Sequence, residues 1–199
     1  HRISVLDNYL SGQQLDSLNI DCVIHLAGIA HDLSNQYTPE DYFKVNDQNT
    51  RNLYDAFLKS KATGFIFLSS IKAAVDIASV PVTETVTCKP VTPYGQSKRQ
   101  AEIYIQSQPL PAGKKYYIMR PCMIHGPGNK GNLNLLYKFV KTGLPYPLGA
   151  FSNKRSFLTV DNFNFIVSRF LDGTIESGVY HLADDGFLST TELYRLIAK

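Results

Sequence analysis

Asp21-Cys22-Val23-Ile24-His25-Leu26-Ala27-Gly28 holds a short apolar run, Cys22 to Ala27, closed by a glycine. A run of this kind suits a strand buried on both faces of a parallel sheet. Three more follow: Gly64–Leu68, ending in Ser69-Ser70; Tyr116–Met119; and Gly178–Leu182. Arg2–Leu6 reads as a further strand at the opening of the chain. Helical patterns lie between them. Thr38-Pro39-Glu40-Asp41 reads as an N-cap followed by proline at the first helical position and an acid at the third. Tyr42, Val45, Leu53, Ala56 and Phe57 then share one face as far as Lys59. Further helices are predicted from Pro93 to Ile105, over Asn132–Val140 closed by Gly143, and over Asp161–Leu171 closed by Gly173. Ser189-Thr190-Thr191-Glu192 is a capping box before Leu193, Leu196 and Ile197. Strand–helix alternation on this scale implies right-handed crossovers and a doubly wound α/β sheet. Such sheets bind ligands at the carboxyl ends of their strands, which directs attention to Gly28–His31, Ser69–Lys72 and Met123–Asn132.

The 199 residues are 44% hydrophobic and 19% charged, with 13 glycines and 10 prolines, which excludes a disordered or collagen-like chain. The length suits one domain, or one domain plus part of a second. A net charge of +3, with scattered lysines and arginines, does not make a nucleic-acid or membrane surface. No apolar run is long enough to span a bilayer, and the N-terminus lacks the pattern of a signal peptide. Cys22, Cys88 and Cys122 form no CxxC pair and read as reduced thiols of a cytoplasmic protein. His25, His31, His125 and His181 match no metal spacing and read as hydrogen-bonded core residues, with His31 and His125 at strand ends within reach of a ligand.

The sharpest chemical signal is Pro93-Tyr94-Gly95-Gln96-Ser97-Lys98. Tyr94 and Lys98 stand one turn apart on a predicted helix and share a face. A free phenol titrates near 10. A nearby ammonium favours the phenolate, so the pair is expected to exchange a proton with an alcohol or sugar hydroxyl. Ser69-Ser70, at the end of a strand, offers a hydroxyl that can orient the reacting oxygen. Asn46 lies inside a predicted helix that it does not favour. It reads either as a solvated face position or as a side chain or backbone distortion serving the lysine.

Taken in order, Asp21–Gly28, Asn46, Phe65–Ser70, Tyr94-xxx-Lys98, Arg120-Pro121 and Gly126-Pro127-Gly128 resemble an extended short-chain dehydrogenase/reductase of the NAD-dependent epimerase/dehydratase family acting on nucleotide sugars. The resemblance runs from about Val5 to Ala198. It implies a Rossmann-like parallel sheet that lacks its first βα unit, with part of a small substrate lobe. Residues 1–122 would form a partial NAD(P)-binding domain. Residues 123–199 would mix substrate-lobe elements with a returning strand and helices at about 155–183. It also implies Tyr94 as acid/base, Lys98 as ribose ligand and pKa modulator, and Ser70, ahead of Ser69, as the catalytic hydroxyl. Leu26, Ala27, Gly28 and Asn46 would serve the cofactor, with Asp7 near the adenine. Asn132 and Arg155 would hold a nucleotide diphosphate, a task suited to a guanidinium.

The implied cofactor is NAD, with NADP as the alternative, and the implied partner is a nucleotide sugar, UDP-linked in preference. Family members often pair as homodimers through helices like those around Asn46 and Tyr94. Ile71-Lys72 stands where dehydratases of the family carry Asp-Glu, which argues against dehydration. Met123 and His125 replace an Asn and a Tyr found in many epimerases. Ser69–Lys72, Gly128–Asn132, Gly143–Gly149 and Asn153–Ser156 resemble a subgroup of surface-polysaccharide enzymes. The expected activity is therefore C4 epimerisation of a UDP-hexose. The alternatives are a 4-keto-6-deoxy-sugar reductase and a non-catalytic dinucleotide-binding protein. Gly126–Gly131 fits GxGxxG but comes late in the chain, and is expected to shape the substrate side or turn the chain. The family's glycine-rich loop would lie ahead of this sequence, within roughly 30–45 residues, the scale of a βαβ unit. The 199 residues alone are accordingly expected to be inactive.

Overall fold

The computed structural model describes residues 10–30, 36–127, 132–144 and 153–198. Two compact units divide the chain: residues 1–121 with 167–181, and residues 122–166 with 182–199.

The first unit is built on a sheet ordered β1 (Cys22–His25), β2 (Gly64–Leu68), β3 (Lys115–Pro121) and β6 (Gly178–Leu182). β1, β2 and β3 are parallel, with Val23 opposite Phe65 and Phe65 opposite Tyr116. Parallel neighbours require crossovers, and helices supply them. α1 (Gly12–Ser17), α3 (Asn49–Leu58) and α4 (Pro93–Ser107) cover one face. There Leu15, Tyr54, Phe57, Phe65, Phe67, Ala101, Ile105 and Ile118 make a continuous core. Phe65 lies 4.9 Å edge-on from Tyr54 and 5.3 Å from Phe57. Burial of each such ring is worth about 1.5–3 kcal/mol. On the other face, Phe170 stacks on Tyr117 at 4.5 Å. Phe170 belongs to α6 (Val160–Leu171), so the sheet carries helices on both faces and is doubly wound.

The helix expected to run from Thr38 to Lys59 is unbroken over Pro39–Leu58 but not α-helical throughout. α2 (Pro39–Tyr42) starts with the expected capping box between Thr38 and Asp41. Phe43–Gln48 then widens into a π turn before α3 begins. Single π turns inside α-helices concentrate at functional sites, and this one contains Asn46. α1 was not anticipated; its Ser11–Gln14 capping box contains none of the periodic apolar positions that signal a longer helix.

Lys114 closes the other end of α3. Its ammonium donates to the carbonyl of Phe57 at 3.0 Å and of Ser60 at 2.7 Å, and also to that of Ala62. One of these carbonyls belongs to the last turn of α3 and two to the segment that follows it.

In the second unit, β4 (Met123–His125) and β5 (Phe157–Thr159) pair in parallel. Both are three residues long, too short for their periodicity to show in the sequence. Gly126 is required here, since a Cβ would stand 2.6 Å from the Val160 side chain. Asp184 accepts from Thr159 N at 2.9 Å and from Asn162 Nδ2 at 2.8 Å, holding the start of α6. α5 (Asn132–Val140) and α7 (Thr190–Ile197) complete the unit, and the Ser189–Glu192 capping box is present.

Candidate active site

Four segments of the first unit meet beyond the carboxyl ends of β1 and β2. They are Leu26–Gly28, the π turn, Ser69-Ser70, and the first two turns of α4. Thr92 caps α4, with its hydroxyl accepting from Gly95 N at 3.2 Å. A Cβ on Gly95 would collide with the Lys72 carbonyl, so glycine lets the start of α4 close against the turn after Ser70.

Asn46 is fully buried. Its Oδ1 accepts from Ile29 N at 2.8 Å, and its Nδ2 donates to the Ile29 carbonyl at 3.0 Å and to Ser97 Oγ at 3.1 Å. The amide therefore replaces a strand partner for the backbone just after β1, and the solvated-face reading of Asn46 fails. Thr50 Oγ1 donates to the Asn46 carbonyl at 2.7 Å and lies 2.9 Å from His25 Nε2. With the threonine proton so used, His25 is the donor to Thr50. Burial, followed by the charge of Lys98, pushes the His25 pKa down to about 3. His25 is thus a neutral, hydrogen-bonded core residue.

The Lys98 side chain is buried. Its ammonium donates to the Leu68 carbonyl at 2.8 Å and lies 4.8 Å from the centre of the Phe67 ring. Burial pulls its pKa down to about 8, against the opposing pull of Glu102. Gly28 lies directly beside it: a Cβ there would be 2.9 Å from Nζ and 2.8 Å from Asn46 Oδ1. Leu26, Ala27 and Gly28 themselves are exposed, Leu26 by 52%.

Tyr94 faces the Ser70 side chain and meets the edge of the Tyr42 ring at 6.4 Å. Burial raises its pKa above the ordinary phenol value. The Ser70 hydroxyl pulls the other way, and Tyr42 adds to the rise. The expectation that Lys98 lowers this pKa is therefore corrected for the structure as it stands. Desolvation dominates the phenol, and the Lys98 ammonium donates one hydrogen bond to the Leu68 carbonyl.

The two serines diverge. Ser70 Oγ faces Tyr94 and accepts from Lys72 N at 3.2 Å. Ser69 Oγ turns inward to Glu102 at 2.5 Å. The sequence assigns no role at the site to Glu102 or Ser97, and marks Tyr42 only as a position on an apolar helix face. Ser97 and Glu102 lie within three and eight residues of Tyr94 on its own helix, and that proximity was the available signal.

Arg155 is exposed on the second unit, and its backbone pairs with that of Leu188. Asn132 opens α5, with its side chain outside the description. Asp7, His31 and Gly128–Gly131 lie outside the described residues.

The profile of the NAD dependent epimerase/dehydratase family matches residues 1–183. The chain belongs to that family. Among curated relatives in this epimerase/dehydratase family, the UDP-glucose 4-epimerase of Vibrio cholerae is 30% identical over 191 residues, covering 93% of this chain and 58% of the relative. The N-acetyl-alpha-D-glucosaminyl-diphospho-ditrans,octacis-undecaprenol 4-epimerase of Escherichia coli O157:H7 is 31% identical over 155 residues, 76% of this chain and 46% of the relative. The Bordetella bronchiseptica enzyme WbmG, solved with NAD and UDP, superposes with a TM-score of 0.78 at 22% identity, covering 94% of this chain and 57% of that one. The chain thus spans under three-fifths of the length of these three proteins.

Proposed function

We propose that the protein carrying this chain is an NAD-dependent 4-epimerase of a UDP-linked hexose. The observation that carries the reading is the meeting of Ser70, Tyr94 and the buried Lys98 beside the open backbone of Gly28. A dinucleotide fits this arrangement. Leu26–Gly28 present exposed apolar and backbone surface, and the adjoining Lys98 ammonium can meet a ribose hydroxyl. When bound, NAD supplies the acceptor and later the donor of one hydride.

The chain's own residues manage the proton. Ser70 orients the C4 hydroxyl. Tyr94 takes its proton as C4–H is lost, and returns it once the 4-keto sugar has presented its other face. Lys98, one turn along α4, is the cation available to favour the phenolate. Arg155 and Asn132 are assigned to the diphosphate, Asn46 to the backbone beside the cofactor, and Asp7 to the adenine end. We assign residues 1–122 to the cofactor domain and 123–199 to the substrate lobe with its returning strand. Homodimerisation would use the outer faces of α3 and α4, where Ile103 is 51% exposed. The epimerase reading is preferred to the reductase because the relatives at 30% and 31% identity are 4-epimerases. The undecaprenol-linked substrate of one of them supports a role in surface-polysaccharide precursors.

The test is to purify the complete protein without added cofactor, denature it and identify the released nucleotide by mass spectrometry. Near-stoichiometric NAD is expected, since an epimerase must keep its cofactor between half-reactions. Empty protein that binds NADH or NADPH reversibly would establish the reductase instead. Protein that binds neither would overturn the enzyme reading.

A further inference from the structure

Glu102 is fully buried on α4, one turn beyond Lys98, and both of its oxygens are fully engaged. Oε1 accepts from Ser69 Oγ at 2.5 Å and from Arg120 Nε at 2.8 Å. Oε2 accepts from Arg120 Nη2 at 2.5 Å and from Arg99 Nη1 at 3.1 Å. Arg120 is itself fixed: its Nη1 lies 3.2 Å from His181 Nε2, and its Nη2 donates to Cys88 Sγ at 3.4 Å. His181 Nδ1 in turn faces the Val82 carbonyl at 3.2 Å, and its backbone N–H donates to Glu84 at 2.9 Å. The carboxylate therefore ties together β2, β3, β6, the segment around residues 82–88, and the helix of Tyr94.

The link to Ser69 is the unusual one. Arg120 alone would neutralise Glu102, so the fold does not need a hydroxyl there to offset the charge. Ser69 precedes Ser70, and its N–H is already held by the Met119 carbonyl at 2.8 Å. With its side chain also clamped, the backbone leaving β2 has one setting, which aims Ser70 Oγ at Tyr94. We infer that Glu102, acting through Ser69, is a positioning residue that sets the Ser70–Tyr94 geometry. This rests on the proposed catalytic roles of Ser70 and Tyr94. Hydrogen bonds to an ionised acceptor are about twice as strong as neutral ones, and small misplacements of reacting groups can cost up to 100-fold in rate.

Ser69→Ala removes the clamp and leaves the Glu102–Arg120 pair intact. In its crystal structure, Ser70 Oγ should lie measurably farther from the Tyr94 hydroxyl than in the unsubstituted protein. With UDP-glucose or UDP-N-acetylglucosamine as probe, kcat should fall about tenfold with KM changed less than twofold, and Ser69→Thr should recover most of the loss. Ser60→Ala removes a comparable buried hydroxyl, which donates to the Phe57 carbonyl, and should leave kcat unchanged. An unmoved Ser70–Tyr94 contact, or wild-type kcat in Ser69→Ala, overturns the inference. Loss of turnover in Tyr94→Phe beside full turnover in Ser69→Ala removes this inference alone. Full turnover in Tyr94→Phe removes the catalytic reading instead, and the crystallographic arm still decides the clamp.

Discussion

Replacing Lys98 with methionine should stabilise the cofactor-free protein at neutral pH. The ordinary lysine value is 10.5, and burial brings Lys98 to about 8. That difference corresponds to about 3 kcal/mol of free energy opposing the charged form in the fold. Below pH 8 the ammonium is present in both folded and unfolded protein, and the full penalty applies. Between pH 8 and 10.5 the folded protein has released this proton while the unfolded chain still holds it. Wild-type stability should therefore gain that 3 kcal/mol, relative to Lys98→Met, as pH rises through the window. At pH 7 the variant loses the hydrogen bond to the Leu68 carbonyl, which offsets about 1–2 kcal/mol. A net gain of roughly 1–2 kcal/mol remains, a rise in Tm of about 2–8 °C for a chain of this size. Urea unfolding of both proteins without nucleotide, at pH 7, 8.5 and 10, gives the difference directly. A difference that stays constant across the series, or a variant less stable at pH 7, refutes the premise that Lys98 is held charged against its environment.

Tyr94→Phe should lower turnover by about 10²–10⁴-fold, the range for losing a positioned acid/base, while NAD affinity measured by calorimetry stays within a few-fold. Gly28→Ala should cost about 1–3 kcal/mol in urea unfolding and weaken NAD binding. Its Cβ would press on Asn46, which three hydrogen bonds prevent from yielding. Acid should act through His25. Its folded pKa of about 3 lies below the ordinary 6.5, so stability is lost as pH falls from 6.5 towards 3, up to roughly 5 kcal/mol. His25→Gln should flatten that stretch of the pH–stability curve.

The parallel sheet was legible because β2 and most of β3 are buried and its strands read as apolar runs, two of them ended by Gly28 and Ser69-Ser70. The Tyr94–Lys98 pairing was legible because helical spacing alone puts the two on one face. Asn46 could be read as misplaced in its helix, but the widening to a π turn could not. That widening depends on Ile29 and Ser97 arriving from 17 and 51 residues away in the chain. Distance also hid Glu102, whose partners Ser69 and Arg120 stand 33 residues before it and 18 after it. The pKa of Tyr94 went the other way from expectation for a related reason. Spacing reveals a neighbouring charge, whereas burial and the Leu68 carbonyl that engages Lys98 are properties of the assembled fold. The three-residue strands β4 and β5 pair with each other across some thirty residues and leave no periodic trace.

The central claim is tested most directly by isotope. The complete protein, loaded with NAD, is given UDP-glucose carrying deuterium at C4 in ordinary water, and the product is examined by NMR. Oxidation and reduction at C4 within one site predicts UDP-galactose that keeps its deuterium at C4, and none from Tyr94→Phe. Product that has exchanged C4 deuterium for solvent hydrogen, or the absence of turnover with every UDP-hexose tried, would contradict the account.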